Sequence, residues 1–201
     1  MARPLDEQGQ ALLDAASRLL STEGPGALTV RRMATEAGCS TMGVYSRFGG
    51  KDGVIEELYK EGVALLFSDI DIDETEDPID DLRRCGRTYR TNALANGTHY
   101  MVVFGGVVPG FRPSDEAIGM ALAAFGRLAA RVRRAQEAGL LVDEPTDKIA
   151  EVIWGTIHGH VMLELIGMSA THADPHERYE RTLDMLLTGL ARHAERALGP
   201  A

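Results

Sequence analysis

Aromatic residues are scarce in this sequence of 201 residues, where Phe, Trp and Tyr together make up only 5%. Sheets draw heavily on such side chains, whereas the abundant Ala, Leu, Glu and Arg favour helices. Cysteine is also rare. Cys39 and Cys85 are isolated, and two such thiols fit reduced, small apolar side chains better than a disulfide framework. No apolar run approaches the roughly 18 residues of a membrane-spanning helix. We therefore expect neither a disulfide-stapled domain nor a transmembrane protein.

The N-terminal residues contain no apolar segment of the kind that a secretory signal needs, so we expect a cytoplasmic protein without a membrane partner. The net charge is −9, but it is unevenly distributed. Residues 1–60 carry 7 basic and 8 acidic side chains, and residues 61–201 carry 14 and 22. The excess of acid lies in the second part, so the first 60 residues can still present a basic face to nucleic acid.

Apolar residues recur at helical spacing along most of the chain. In the first part we predict helices from Asp6 or Glu7 to Gly24, from Thr29 to Gly38, from Ser40 to Gly49 and from about Asp52 to Phe67. Asp, Thr and Ser are preferred N-cap residues. The second and third helices are joined by only four residues, 37–40, which is typical of a helix-turn-helix.

An acidic loop, residues 69–77, separates this unit from the rest. It resembles the start of a calcium-binding loop, but Glu74 and Asp80 replace the glycine and glutamate that such a loop needs, so we expect a solvated linker and no metal. Beyond it we predict helices over 78–95, 114–138, 146–170 and 175–198, with a short buried helix in the apolar stretch 100–108. The predicted domains are residues 6–66 and 78–201, and the predicted fold class is all-α.

Cations lie at two predicted helix N-termini, where the helix dipole disfavours them. Arg31 and Arg32 follow the cap Thr29, and Lys51 begins the fourth helix. A bound phosphate would explain such cations, and a chance placement of surface charges is the alternative.

The third helix is short and polar. Val44 and Phe48 form its apolar side, while Thr41, Met42, Tyr45 and Ser46 point outward, and Gly43 permits close approach to a groove.

Residues 29–54 closely resemble the DNA-binding region of TetR-type transcriptional regulators, chiefly through Thr29, Ala37-Gly38, Ser40, Val44-Tyr45, Phe48 and Lys51-Asp52. Gly43 and Arg47 depart from the usual family pattern. The resemblance implies an all-helical homodimer whose N-terminal unit binds double-stranded operator DNA and whose C-terminal bundle holds a small-molecule effector. The DNA-binding residues that it implies are Thr29, Arg31, Arg32, Ser40, Thr41, Met42, Gly43, Tyr45, Ser46, Arg47 and Lys51.

Trp154 and His158 share a helix face four residues apart, and with Gly159 they look like the Trp…His-Gly signature of one C-terminal subclass of these regulators. The pair either fills the bundle core, which is the favoured interpretation, or lines the effector pocket. An apolar pocket is predicted from Met101, Phe104, Phe111, Met120, Phe125, Trp154 and His158.

Apolar stripes on the last two predicted helices suggest a two-fold four-helix interface. The stripes are Ile149, Val152, Ile153, Ile157 and Val161, and Leu183, Leu186, Leu187, Leu190, Ala191, Ala194 and Leu198. No catalytic constellation, metal site or cofactor motif is identifiable. We predict a ligand-responsive repressor, with an enzyme or carrier built on the bundle and a ligand-free helical scaffold as the alternatives.

Overall fold

The structure, a computed structural model, describes residues 5–67, 73–168 and 174–192. Over these ranges it consists of α-helices with one short 3₁₀ turn and one isolated β-bridge, and without a β-strand, so the predicted all-α class is confirmed. The helices are α1 (Glu7–Glu23), α2 (Val30–Glu36), α3 (Thr41–Phe48), α4 (Lys51–Leu66), α5 (Pro78–Ala95), α6 (Gly97–Val103), α7 (Asp115–Glu137), α8 (Thr146–Leu165) and α9 (Pro175–Leu190). None of the helices in the described ranges is long and apolar enough to cross a membrane.

The first three helices begin at the predicted N-cap residues. The Asp6 carboxylate accepts a hydrogen bond from the Gly9 amide at 2.7 Å, and the Ser40 hydroxyl accepts one from the Gly43 amide at 3.2 Å. The Thr29 hydroxyl caps α2 in the same way, at 3.3 Å. Each cap satisfies an amide that the first helical turn leaves without a partner. The predicted starts of these helices are therefore confirmed.

The chain forms two compact units. The first comprises Met1–Ser68 and Ala95–Leu122, and the second Asp69–Leu94 and Ala123–Ala201. In the first unit, α1–α4 enclose a core in which Leu12, Met33 and Ile55 are fully buried. Residues 95–122 pack with these N-terminal helices, and α7 contributes to both units. The predicted domains, 6–66 and 78–201, stay a prediction.

The apolar stretch 100–108 is helical in its first part, because α6 covers Gly97–Val103. It lies close to α4, where a Cβ on Gly62 would be only 2.8 Å from the Val103 Cγ2 atom. Beyond the helix, Val107 and Val108 still pack against the core of the first unit. The predicted helix is confirmed, although it begins and ends earlier than the sequence suggested.

The second unit has its own apolar core, with buried side chains from α5, α7, α8 and α9. The core includes Leu82, Leu128, Val132, Ile149, Ile153 and Leu187. The close approach of α5 and α9 depends on Gly86, since a Cβ there would lie 2.8 Å from the Leu183 Cδ2 atom. The buried Tyr179 hydroxyl fixes the same contact by donating a hydrogen bond to the Gly86 carbonyl at 2.6 Å.

The described end of the acidic loop is held on this unit by Asp81, a carboxylate that is only 1% exposed. It accepts hydrogen bonds from the Thr75 amide at 3.0 Å, from the Thr75 hydroxyl at 2.9 Å and from the Arg134 guanidinium. Burial by itself would raise the pKa of Asp81, but these donors together outweigh burial and lower it. In the described part of the chain, no three potential metal ligands form a cluster.

The last two helices are shorter than predicted. α8 ends at Leu165 instead of 170, because Gly167 adopts φ 69° and the Met168 amide bonds back to the Leu163 carbonyl at 2.9 Å. α9 ends at Leu190 instead of 198, because Ala191 turns to an extended conformation and pairs with Leu141. The predicted interface residues Ala194 and Leu198 lie outside the described residues.

Candidate nucleic-acid interface and effector region

The two sides of α3 differ in burial. Val44 is fully buried in the core of the first unit, and Phe48 packs against the same core. On the other side, Met42 is 72% exposed and Tyr45 is 54% exposed. Thr41 and Ser46 are exposed as well. A short helix anchored by Val44 thus presents large side chains to solvent, as a helix that enters the major groove must.

Gly43 lies between these two sides and is not required by packing. A Cβ at this position would lie 3.5 Å from the Arg47 Nη1 atom and 3.6 Å from the Cys39 Sγ atom, which are ordinary contact distances. An alanine would therefore fit at Gly43 without displacing the helix.

The two cap residues of the helix-turn-helix are also accessible, since Ser40 and Thr29 are both exposed.

Arg32 has a structural partner that the sequence did not reveal. Its guanidinium forms two hydrogen bonds with the Glu23 carboxylate, at 2.6 and 2.7 Å. These bonds lower the pKa of Glu23 and raise the pKa of Arg32. Glu23 therefore accounts for the Arg32 cation at the start of α2 without a phosphate, and a DNA contact by Arg32 stays a prediction.

Arg47 is paired in a similar way. Its Nε and Nη2 atoms donate to the Asp6 carboxylate at 3.0 and 2.8 Å, which ties α3 to the residue that caps α1. The hydrogen bonds to Asp6 raise the pKa of Arg47. Asp6 and Arg47 are 41 residues apart, so no local sequence pattern could have predicted the pair.

Arg31 and Lys51 differ from these two arginines. Neither has a carboxylate within ion-pair distance among the residues that the structure describes. Lys51 is the first residue of α4, a helix without a side-chain cap. Gly50 precedes it with φ 135°, and the Tyr45 ring lies 3.5 Å from the place of a Cβ on Gly50. Tyr45 and the α4 N-terminus thus form one continuous surface, on which uncapped amides and a lysine suit a phosphate.

The predicted effector residues are divided between the two units. The first unit holds Met101, Phe104, Phe111 and Met120, and the second holds Phe125, Trp154 and His158. In the first unit the ring centroid of Phe104 lies 5.1 Å from that of Tyr100, and Phe111 packs against the core. Both rings therefore take part in the packing of the first unit, and their role in ligand binding stays a prediction.

In the second unit the three predicted residues form one aromatic cluster. The Phe125 ring meets the Trp154 ring edge-on, with centroids 6.2 Å apart, and the Trp154 and His158 centroids are 5.3 Å apart. Sequence reasoning missed a fourth member, Tyr89 of α5, whose hydroxyl lies 3.0 Å from the His158 Nδ1 atom. Burial lowers the pKa of His158 and so favours the neutral ring. A neutral ring that accepts from Tyr89 at Nδ1 carries its proton on Nε2.

A polar cluster beside this site was also missed. Arg90 of α5 donates to Glu164 of α8 at 2.6 and 2.9 Å, and its guanidinium stacks over the Tyr179 ring of α9 at 5.4 Å. The His160 ring packs edge-on against Tyr179. Burial, followed by the charge of Arg178, lowers the pKa of His160. These residues join three helices of the second unit by polar contacts.

The predicted interface residues on the last two helices are wrong in part, because six of the ten that the structure describes are buried inside the second unit. Those buried are Ile149, Ile153, Ile157, Val161, Leu183 and Leu187. The accessible stripe of small or apolar residues along α8 retains only Val152 of the residues predicted for that helix. It comprises Val152, Gly155, Gly159 and Leu163, followed by the C-cap residue Ile166, and Met185 and Gly189 of the neighbouring helix α9 are also accessible. We name these seven residues the α8–α9 face.

Two family models match the sequence. Residues 12–58 match the model described as bacterial regulatory proteins of the tetR family, and residues 82–186 match a tetracyclin repressor-like C-terminal domain. No curated protein sequence matches the chain. The C-terminal match covers more than half of the chain. The chain therefore belongs to the TetR family of DNA-binding transcriptional regulators, whose members bind DNA as dimers.

Solved structures share the fold at low sequence identity. A protein of unknown function from Rhodococcus sp. RHA1 matches with a TM-score of 0.81 at 23% identity, over 94% of this chain and 97% of that one. The TetR family regulator PfmR from Thermus thermophilus matches with a TM-score of 0.72 at 20% identity, over 90% and 99%. The fatty acid degradation regulator FadR from Bacillus halodurans gives 0.74 at 17% identity, over 92% and 97%.

Proposed function

We propose that this regulator is a ligand-responsive repressor, which binds a double-stranded operator as a homodimer and releases it when a small molecule occupies the second unit. The observation that carries the proposal is the surface of α3, where exposed Met42 and Tyr45 lie beside the N-terminus of α4. An anchored helix with exposed large side chains next to an anion site fits a major groove and its flanking phosphates.

In this proposal the residues of the first unit divide into two roles. Thr41, Met42, Gly43 and Ser46 face base edges, because they occupy the exposed side of α3 or its point of closest approach. The phosphate contacts come from Thr29, Arg31, Ser40, Tyr45 and Lys51, which lie at helix N-termini or beside one. Arg32 and Arg47 reach a phosphate only after exchanging their carboxylate partners.

Replacing Tyr45 or Lys51 with alanine should weaken operator binding about tenfold or more without unfolding the protein, since both side chains are outside the core. Lys51→Ala should also reduce the slope of log K against log salt by about one phosphate. Fluorescence anisotropy with a labelled duplex from upstream of the protein's own gene measures both quantities.

Lys148→Ala is the matched control for this experiment. Lys148 is an exposed lysine in the first turn of α8, in the second unit, and its loss changes the net charge by the same amount. It should leave affinity and salt slope unaltered. If Tyr45→Ala and Lys51→Ala both leave the operator affinity unchanged, α3 is not the recognition helix.

The homodimer is proposed to form through the α8–α9 face. Two glycines four residues apart, Gly155 and Gly159, leave room for a second helix to approach, since no described atom lies within 4 Å of a Cβ at either position. Two-fold pairing of this face is the isologous arrangement commonest in soluble oligomers. It would present two copies of α3 to successive major grooves, roughly 34–36 Å apart, and so require a near-palindromic operator.

The effector is proposed to bind at the aromatic cluster of Tyr89, Phe125, Trp154 and His158. Flat rings packed around a partly buried imidazole suit a mainly apolar ligand. A coupling of about 1–3 kcal/mol between this site and the DNA-binding surface is enough for regulation. Met101, Phe104, Phe111 and Met120 of the first unit stay predicted ligand residues.

The sole tryptophan of the sequence lies in this cluster and makes the effector proposal measurable. Any compound that releases the operator should change Trp154 fluorescence at the same concentrations. Trp154→Phe and His158→Gln should retain operator affinity while losing the response to that compound. If Trp154 is instead a core residue only, every releasing compound should leave its emission unchanged, and Trp154→Ala should cost roughly 3–5 kcal/mol of stability.

A further inference from the structure

Two carboxylates at the ends of α1 hold Arg32 and Arg47, two of the arginines predicted to contact DNA. Asp6 caps the start of α1 and binds Arg47 of α3, while Glu23 is the last residue of α1 and binds Arg32 of α2. A carboxylate at a helix C-terminus opposes the helix dipole, and so does a cation in a first helical turn. Helix stability therefore explains neither Glu23 nor Arg32, whereas their ion pair explains both.

These ion pairs are accessible to solvent. The Arg32 and Glu23 side chains are 49% and 44% exposed, and those of Arg47 and Asp6 are 31% and 60% exposed. Exposed pairs of this kind contribute little to stability, because water and salt screen them. A DNA phosphate offers a guanidinium the same two-pronged geometry as a carboxylate and can replace it.

We propose that Asp6 and Glu23 are specificity-determining residues, which occupy Arg47 and Arg32 and so restrain binding to DNA that lacks the operator sequence. Non-specific affinity comes almost entirely from phosphate neutralisation and the counterions that it releases. An arginine that must leave a carboxylate in order to bind a phosphate exposes that carboxylate again. The exchange therefore releases few counterions in total and adds little to the binding free energy. The base contacts of α3 do not depend on this exchange, so the restraint falls mainly on sequence-independent binding.

The operator complex and a non-specific complex should respond differently when the carboxylates are removed. Base contacts hold the operator complex in one orientation, so a released guanidinium gains there only where a phosphate is within reach. Non-specific complexes are not restricted in this way, because any orientation that brings the guanidinium to a phosphate is available. The proposal rests on the DNA-binding surface proposed above.

The test uses Asp6→Asn and Glu23→Gln in the full-length protein. Affinity is measured from about 0.05 to 0.3 M salt for two duplexes, a random-sequence DNA of about 30 base pairs and a sequence selected by the wild-type protein. For random DNA, each variant should bind roughly 5–10-fold more tightly near 0.1 M salt, with a slope steeper by about 0.9. The selected duplex should gain less, so the ratio of the two affinities should fall.

Asp184→Asn is the matched control, because Asp184 is 62% exposed, pairs with Arg83 at 2.7 Å and lies in the second unit. It changes the net charge equally and should change neither affinity nor slope. In the double variant Glu23→Gln with Arg32→Gln, the gain in affinity for random DNA should disappear, because no guanidinium is released. Asparagine caps helices as well as aspartate does, so Asp6→Asn should keep α1 intact. If Asp6→Asn nevertheless disturbs the fold, the result with Glu23→Gln alone tests the proposal.

An unchanged salt slope in both variants, an equal gain with Asp184→Asn, or an unchanged affinity ratio would each overturn the proposal. Failure of the underlying DNA-binding surface is separately visible, since Tyr45→Ala and Lys51→Ala in the otherwise wild-type chain would then leave binding unaltered.

Discussion

Replacing Leu163 with aspartate should leave a folded monomer that binds its operator at least about 100-fold more weakly. Leu163 lies on the α8–α9 face and is 49% exposed, so a carboxylate there is hydrated in the monomer and costs little. In a two-fold interface the same change places two charges in an apolar contact, and a buried unpaired charge costs about 3–5 kcal/mol. Sedimentation at micromolar concentration, where the wild type should show twice 21.8 kDa, measures the change.

Leu122→Asp is the matched control, because Leu122 of α7 is also an exposed leucine, at 64%, and is not part of the α8–α9 face. This variant should remain a dimer and keep its operator affinity. A Leu163→Asp variant that still sediments as a dimer would show that the subunits meet elsewhere. A wild-type protein that sediments as a monomer would contradict the proposed binding of a near-palindromic operator, since one chain carries only one copy of α3.

Replacing Asp81 with alanine should lower the stability of the protein by about 2–3 kcal/mol, which corresponds to roughly 10 °C in melting temperature. The substitution removes the shared acceptor of the Thr75 amide, the Thr75 hydroxyl and the Arg134 guanidinium, and leaves all three without it. Because the Asp81 carboxylate is buried and bonded to all three donors, its removal loses several hydrogen bonds at once. Urea and thermal unfolding followed by circular dichroism measure the loss.

The pair of the exposed Asp184 and the partly buried Arg83 provides the comparison for this variant. Asp184→Ala should cost less than about 1 kcal/mol, as is usual for surface pairs. The pKa of Asp81 is lowered in the folded state, so its stabilising contribution is complete above the unfolded value of about 4 and is lost as the pH falls through the lower folded value. The difference between wild type and Asp81→Ala should therefore shrink in strong acid. A constant difference down to about pH 2 would contradict this assignment.

The sequence by itself predicted the features that depend on near neighbours. Thr29 and Ser40 were predicted to open α2 and α3, because a cap bonds to an amide only two or three residues away, and the start of α1 was narrowed to Asp6 or Glu7. The apolar side of α3 followed from Val44 and Phe48 because residues four apart share a helix face. The recognition-helix pattern, with its spacing from Thr29 to Lys51, also lies within a single short segment. These predictions needed no knowledge of the remaining chain.

The partners of the charged and aromatic residues required the tertiary structure. Arg47 meets Asp6 across 41 positions, and His158 meets Tyr89 across 69, distances at which no periodic pattern carries information. The sequence could show that α8 has apolar residues on more than one side, but not which side the bundle buries. Ile153 and Val161 proved to be core, which left Leu163 accessible.

The ends of the last two helices show the same limit. Helical propensity favoured continuation past Leu190, yet Ala191 pairs with Leu141, a residue far earlier in the chain. The intrinsic helix propensities of residues differ by only a few tenths of a kcal/mol per residue. Packing and hydrogen bonds between distant segments readily contribute more free energy than that. The sequence therefore determined the helix-turn-helix and the all-α class, which arise from local hydrogen bonds and periodic burial. Only the folded chain decided which cations are paired, which apolar stripe remains exposed and where α8 and α9 end, because these depend on residues brought together from far apart.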